Sequence, residues 1–439
     1  MAVSYISTYQ QQPTVFRAQT MQNRVVKSLD GIFSFALVLS ILLGSIRIGL
    51  SDAYRPTVLI TLPCLLYLMV MNGKLLGRIV RSRFGICNML LFLILALGHL
   101  LGHDVVPGVE VSGAELSWEN LIIIPLTLFC GIIISEKEEY KRGMIAGLIT
   151  GLTIHVVCLA ILPPVILYRA YGRMSGLLSD PNIILLHIIP VYFLWLGTVH
   201  WRKFLIVMPL VALPVIWATF QTLSRTGLFS LIIGLVITFL GAIMLLVKMR
   251  RWLPLVGLLC FFPVCLGGLY IAMPDYFNTR MVAFIDRLEH PYYKNRSIVE
   301  DRLYWYRLME RTTVYDHVLN PLGMGYGLYL KGNSLLPHNT FIDAYIVGGP
   351  IALLLICVIY LEFSYRFLCR IRKRFSDIGL TMTSVVLLAF MVTQILILAT
   401  LSVFTLKVNW VLLGIAIGLY SFPVIEQRQH FPMEPLERR

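Results

Sequence analysis

Residues 227–247 read G-L-F-S-L-I-I-G-L-V-I-T-F-L-G-A-I-M-L-L-V, an uncharged run that ends abruptly on Lys248, Arg250 and Arg251. About 20 apolar residues in a helix cross the hydrocarbon core of a bilayer. A run of this length with a cationic stop therefore predicts a transmembrane helix. The rest of the 439-residue chain repeats the pattern. Hydrophobic residues make up 58%, charged residues 14%, and mean hydropathy is +0.79. A soluble domain carries about 25% charged residues, so a water-soluble globule is excluded, as are disordered, collagenous and coiled-coil classes.

Twelve apolar stretches can be counted, at about 31–50, 56–72, 85–101, 120–135, 143–167, 182–199, 204–222, 227–247, 252–273, 341–361, 378–401 and 406–425. The expected fold is an all-α polytopic membrane protein of about 12 transmembrane helices. Residues 1–30 form a polar N-terminal tail and 31–273 hold spans 1–9. Residues 274–340 form one large helical loop, 341–425 hold spans 10–12, and 426–439 are a second tail. The first 30 residues do not read as a cleavable signal.

Lys and Arg orient the spans, because cytoplasmic loops carry the excess of both. They gather at Lys74 to Arg83, at Lys137, Lys141 and Arg142, at Arg202 and Lys203, at Lys248 to Arg251, and at Arg366 to Arg374. With twelve spans, all of these fall on the side of both termini, which makes that side cytoplasmic. Its segments hold 23 of the 37 Lys and Arg but only 9 of the 23 Asp and Glu, so the whole +14 excess lies there. The basic pI is therefore a topology signal, and no nucleic-acid partner is implied. Of the eight cysteines, seven fall in spans and Cys369 in a cytoplasmic loop, so no disulfide is expected. Their spacings suit no zinc or haem site.

Three elements on the outer side break the apolar pattern. Arg169 to Asn182 holds Arg173 and then Asp180-Pro181-Asn182, which reads as a helix start. Ser224-Arg225 stands where span 7 turns into span 8, with no acidic residue for tens of positions on either side. Ionisable residues at such a depth are usually functional. The third is the loop from Pro274 to Thr340. Its Ser297-Ile298-Val299-Glu300 is a capping box that predicts a helix to about Val318. On that helix Arg302 shares a face with Trp305, Tyr306 and Met309, while Arg307 and Arg311 lie i,i+4 on the other side. These two suit a solvated or headgroup-facing surface, or added anion binding. His338 and Asn339 close the loop, and Asp343 follows one turn into span 10. His99, His155 and His187, inside apolar spans, read as structural.

Outside the cytoplasm there is no ATP, so a reaction there needs a pre-activated substrate. The sequence shows no P-loop, no paired outside carboxylates and no cluster with metal-ligand spacing. Arginine forks bind phosphate bidentately and keep their charge. Arg173, Arg225 and Arg302 with His338 would suit a lipid-linked diphosphate, the arginines stabilising the leaving group. The histidine could accept a proton from an acceptor hydroxyl.

Four segments carry a family likeness: Arg173 to Gly176 running on to Asp180-Pro181-Asn182; Ser224-Arg225-Thr226-Gly227; Arg302 to Trp305 with the later Asn320 to Gly325; and His338-Asn339 leading into Gly348-Gly349. In this order they resemble the O-antigen ligase and polymerase family of bacterial inner-membrane enzymes. The resemblance covers about residues 170–360. It implies an inverting, metal-independent glycosyltransferase without a cofactor, acting at the periplasmic face on an undecaprenyl-diphosphate-linked glycan. It implies that His338 is catalytic and that Arg225 and Arg302 bind the diphosphate with Arg173 in support. Asn339 would orient the ring or the substrate. The acceptor would be lipid A–core for a ligase, or a second lipid-linked glycan for a polymerase, and one dominant outer loop resembles the ligase more. Gly349-Pro350 departs from the family's uninterrupted Gly-rich helix start. A secondary transporter is the reading from another class, but it should show a repeat of two six-span halves, and the sequence shows none.

Reporter fusions test the orientation. Fusions after Arg83, Lys203, Arg251 and Arg374 are expected to report cytoplasm, and fusions near Ser112 and Asn333 periplasm. A cytoplasmic signal at Asn333 would put the candidate residues in the wrong compartment.

Overall fold

The computed structural model describes residues 12–44, 56–103, 118–161, 178, 182–252, 274–289, 322–323, 339–373, 377–401 and 406–430, with single positions between 254 and 271. Among them every regular element is a helix. The helices are α1 (Gln12–Leu43), α2 (Pro56–Met71), α3 (Gly73–Arg81), α4 (Arg83–His103), α5 (Trp118–Glu136), α6 (Glu138–Ile161), α7 (Ile183–Leu196), α8 (Trp201–Gln221), α9 (Arg225–Lys248), α10 (Pro274–Glu289), α11 (Thr340–Lys373), α12 (Ile378–Leu398) and α13 (Lys407–His430). Five have the length and apolarity to cross a bilayer, in α6, α8, α9, α11 and α12, and the bent pair α2–α3 passes as a sixth. Shorter apolar helices lie within α1, α4, α5, α7 and α13. The chain is an all-α multi-pass membrane protein.

Lipid tails are as apolar as leucine, so helices in a membrane associate through close packing and interhelical hydrogen bonds. Small residues mark the closest crossings here. On α5 and α13, Gly131 faces Gly414: a Cβ on Gly131 would lie 2.6 Å from the Val411 carbonyl oxygen, and one on Gly414 3.1 Å from the Gly131 Cα. One turn on, Gly418 meets Ser135. On α6, Gly143, Gly147 and Gly151 meet Gly31, Val38 and Leu42 of α1 in turn. On α9, Gly234 meets Phe193 and Thr393, and Gly241 meets Val385 of α12.

α7 is enclosed by its neighbours: every residue from Ile184 to Leu194 is buried. The Tyr192 hydroxyl donates 3.0 Å to the Met208 carbonyl of α8. A second buried polar knot ties three helices. Gln394 Nε2 of α12 donates to Asn409 Oδ1 of α13 at 2.7 Å, and the Tyr360 hydroxyl of α11 donates to the same oxygen at 3.3 Å.

Several elements differ from the sequence expectation. α1 starts at Gln12, so helix extends well into the stretch read as a tail, because polar residues with helical propensity continue an apolar helix into water. The cationic loop at Lys74 to Arg83 is helical in α3 and opens α4. The cationic segment at Arg366 to Arg374 continues α11 as far as Lys373. Cys369 accordingly lies in a helix. Pro274–Glu289 forms the amphipathic α10, a helix the apolar periodicity of the spans did not mark. Span 10 is broken at Gly349, whose φ of 70° and ψ of −171° are open to glycine, and Pro350 follows. Gly323, with φ 73°, packs against this break, and a Cβ there would lie 2.6 Å from the Val347 carbonyl oxygen. The capping box at Ser297–Glu300 and Cys265 lie outside the described residues.

The Gly131–Gly414 crossing gives a direct test. Gly414→Leu is expected to destabilise by about 1–3 kcal/mol through overpacking, read as a lowered midpoint in thermal melts of the detergent-purified protein. Gly77→Ala, where nothing lies within 4 Å, should leave the midpoint unchanged or raise it. Equal effects would refute the close crossing.

Candidate functional site

α8 and α9 form a hairpin joined by Thr222, Leu223 and Ser224. At its far end, Arg202 and Arg251 each sit 5.7 Å from the Trp201 ring, beside Lys203, Lys248 and Arg250. α8 has 21 residues, which at a rise of about 1.5 Å per residue is about 30 Å, one bilayer core. Arg225 therefore lies a membrane's thickness from that cationic belt. It occupies the first position of α9 and is half-buried.

The turn that carries it is built from short side chains. Thr219 Oγ1 donates to the Val215 carbonyl at 2.8 Å, and Thr222 Oγ1 to the Thr219 carbonyl at 2.7 Å. Both satisfy the end of α8 in a region short of water. Leu223 adopts φ 48°, a left-handed conformation that a non-glycine residue adopts at a cost. Its side chain is buried, and that burial offsets the strain. Ser224 then caps α9: its Oγ accepts from the Gly227 amide at 3.3 Å and donates to Asn182 Oδ1 at 3.0 Å. Gly227 leaves room for Leu185 of α7. The starts of α7 and α9 are thus tied together.

Asn182 is itself the residue that precedes α7. The sequence reading took Asp180-Pro181-Asn182 as one helix start. Helix begins at Ile183, with the Asn182 side chain turned to Ser224.

The contacts of α12 bring a third helix to the same end. Gly241 faces Val385 and Gly234 faces Thr393, so α9 and α12 run antiparallel. One more interval of about two turns places the α9 start level with the segment after α12. There Thr340 Oγ1, at the start of α11, donates 2.5 Å to the Leu401 carbonyl. Asn339 caps α11, its Oδ1 accepting from the Phe341 and Ile342 amides at 3.0 and 3.2 Å. Asp343, one turn in, is buried. Arg225, Ser224, Asn182, Asn339 and Thr340 accordingly share one end of the bundle. Asn339, expected to contact ring or substrate, has its side-chain oxygen engaged in the helix cap.

Beneath this end, His187 and His155 pack with ring centroids 5.1 Å apart. His187 Nδ1 lies 3.1 Å from the Ile183 carbonyl and His155 Nε2 3.0 Å from the Leu42 carbonyl of α1. Both rings brace α1, α6 and α7, which fits the structural role read for them. Arg173, Arg302, Arg307, Arg311, His338 and Asp180 lie outside the described residues.

Searches against protein-family models and against curated proteins return no match for this chain. Function therefore rests on chemistry. A cation at a helix N-terminus opposes the helix dipole. Backbone amides and guanidinium together make the Arg225 corner attractive to an anion.

The Asn182–Ser224 tie was missed in the sequence, since nothing local links two residues 42 positions apart. Ser224→Ala removes both the α9 cap and the tie, and is expected to cost about 1 kcal/mol, within the usual range for a lost cap. Asn182→Ala removes the tie alone. In a double-mutant cycle of thermal midpoints the two should be non-additive, with a coupling of about 0.5 kcal/mol or more. Full additivity would mean the two residues do not interact.

Proposed function

We propose that this chain is a membrane-embedded glycosyltransferase of the O-antigen ligase kind, a twelve-span protein of the bacterial inner membrane with both termini in the cytoplasm and its site on the periplasmic side. The observation that supports this reading most is the place of Arg225. It is a half-buried cation at the head of α9, held in a strained and hydrogen-bonded turn, a bilayer's thickness from the Trp201 belt. Fixing an arginine there costs stability and suits a phosphate anion at the membrane surface.

The proposed donor is a glycan on undecaprenyl diphosphate and the proposed acceptor a sugar hydroxyl of lipid A–core. Arg225, Arg302 and Arg173 hold the diphosphate, and Arg307 and Arg311 extend that basic surface. His338 directly precedes Asn339, which fixes the head of α11 at the same end of the bundle as Arg225. The imidazole accepts the proton of the acceptor hydroxyl as its oxygen attacks the anomeric carbon. The bond from that carbon to the diphosphate oxygen breaks on the opposite face, so the configuration inverts. The arginines stabilise the negative charge gained by the leaving diphosphate.

Deleting the gene and resolving the lipopolysaccharide on a gel tests the reading. Loss of capped O-antigen with accumulation of lipid-linked polymer is expected. A core carrying a single repeat unit would instead identify a polymerase, and unchanged lipopolysaccharide would refute both. With purified protein, His338→Ala is expected to lower transfer by about 10²–10⁴-fold with donor binding retained. Arg225→Lys should rescue poorly, because a lysine cannot reproduce the bidentate fork. Near-normal turnover of His338→Ala would remove the base role.

A further inference from the structure

The opposite end of the bundle carries a feature that glycan transfer does not use. The apolar part of α2 meets α3 at an angle of 89°. Asn72 pins this elbow, its Nδ2 donating to the Leu68 carbonyl at 2.7 Å and to the Tyr140 hydroxyl of α6 at 3.0 Å. Ser82 pins the other end of α3, accepting from the Gly85 amide at 3.0 Å. Leu75 and Ile79 are buried, so α3 is held with a fixed face outward. That outward face is basic: Lys74, Arg78 and Arg81 are exposed, and so is Arg83 at the start of α4.

The whole stretch from Pro56 to His103 contains no Asp or Glu. Glu136 interacts electrostatically with Arg78 and Lys137. Among the described residues Lys74, Arg81 and Arg83 make no ion pair. Both flanking helices present apolar stripes. On α2 they are Leu59, Leu62, Leu66 and Val70, and on α4 Ile86, Leu90, Leu93 and Leu97, all exposed. Their spacing of three to four residues draws one line along each helix. In a bilayer such surface suits acyl chains, with the α3 cations then at headgroup depth.

We propose that this elbow is a binding site for an anionic phospholipid, with its phosphate held by Lys74, Arg81 and Arg83 and its chains against the stripes of α2 and α4. The fixed elbow separates this from diffuse surface attraction. Two cations without counter-ions lie on one short, pinned helix and a third opens the next, and a lipid phosphate satisfies them while the chains cover the apolar walls. The proposal depends on neither the direction of the spans nor the reaction at the far end.

The test uses the full-length protein, delipidated in a neutral detergent and titrated with phosphatidylglycerol or phosphatidylcholine. Native mass spectrometry counts retained lipids and a thermal melt reads stabilisation. Phosphatidylglycerol is expected to be retained and to raise the midpoint, and phosphatidylcholine to do neither. Each cation removed by Lys74→Gln, Arg81→Gln or Arg83→Gln should weaken phosphatidylglycerol binding by roughly fivefold. Lys141→Gln, which removes a cation already paired with Glu138, should leave binding unchanged. If the triple variant does not fold, the single variants and salt decide. Raising salt from about 0.1 to about 1 M shortens the screening length from about 10 to about 3 Å and should abolish the preference in the wild type. Equal binding of the two lipids, a preference that survives salt, or single variants with wild-type affinity would each overturn the site.

Discussion

Backbone-to-backbone approach at small residues is the constraint on which this molecule depends. In a bilayer, burying leucine against leucine gains little over burying it against lipid, so association must come from contacts that lipid cannot make. Gly131 with Gly414, Gly143 with Gly31, and Gly234 with Thr393 bring helix axes close enough for dispersion and weak backbone contacts to accumulate. A methyl group on Gly131, Gly143 or Gly414 would run into the backbone of the neighbouring helix. The glycines sit at intervals of four on α6 and seven on α9, which keeps each on a single face.

Once those crossings are set, positions along different helices become linked. The Gly241–Val385 and Gly234–Thr393 contacts fix the register of α9 against α12, and that register carries Arg225 to the level of Leu401 and Thr340. α7, buried along its length, leaves only its start to meet the others, through Asn182 and Ser224. The polar groups of the interior do the same work by direction. Gln394 Nε2 and the Tyr360 hydroxyl both donate to Asn409 Oδ1, which links α11, α12 and α13.

The two ends of the bundle handle charge differently. One end spreads cations over a belt and sets two of them beside the Trp201 ring. The other end presents Arg225 at a helix head, where the dipole works against it. Leu223, two residues before it, holds a left-handed backbone conformation.

The sequence by itself determined that the chain is an all-helical membrane protein, because the lengths of uncharged runs and the bilayer thickness leave no other way to satisfy the backbone. It also marked Arg225 as an anomaly, since a cation with no acidic residue near it along the sequence is visible in one dimension. Helix breaks and bends were legible only in part: Gly349-Pro350 showed as a departure, while the elbow at Asn72 read as a loop, because the cations from Lys74 to Arg83 read as an orientation signal between two spans. Only the tertiary structure decided that Ser224 bonds Asn182, that Asn339 spends its oxygen on a helix cap, and that Thr340 reaches Leu401. Those contacts join residues 42 and 61 positions apart, or turn a side chain toward one of two available partners. Sequence spacing carries no record of either choice, because both follow from how helix faces rotate and slide until their small residues meet.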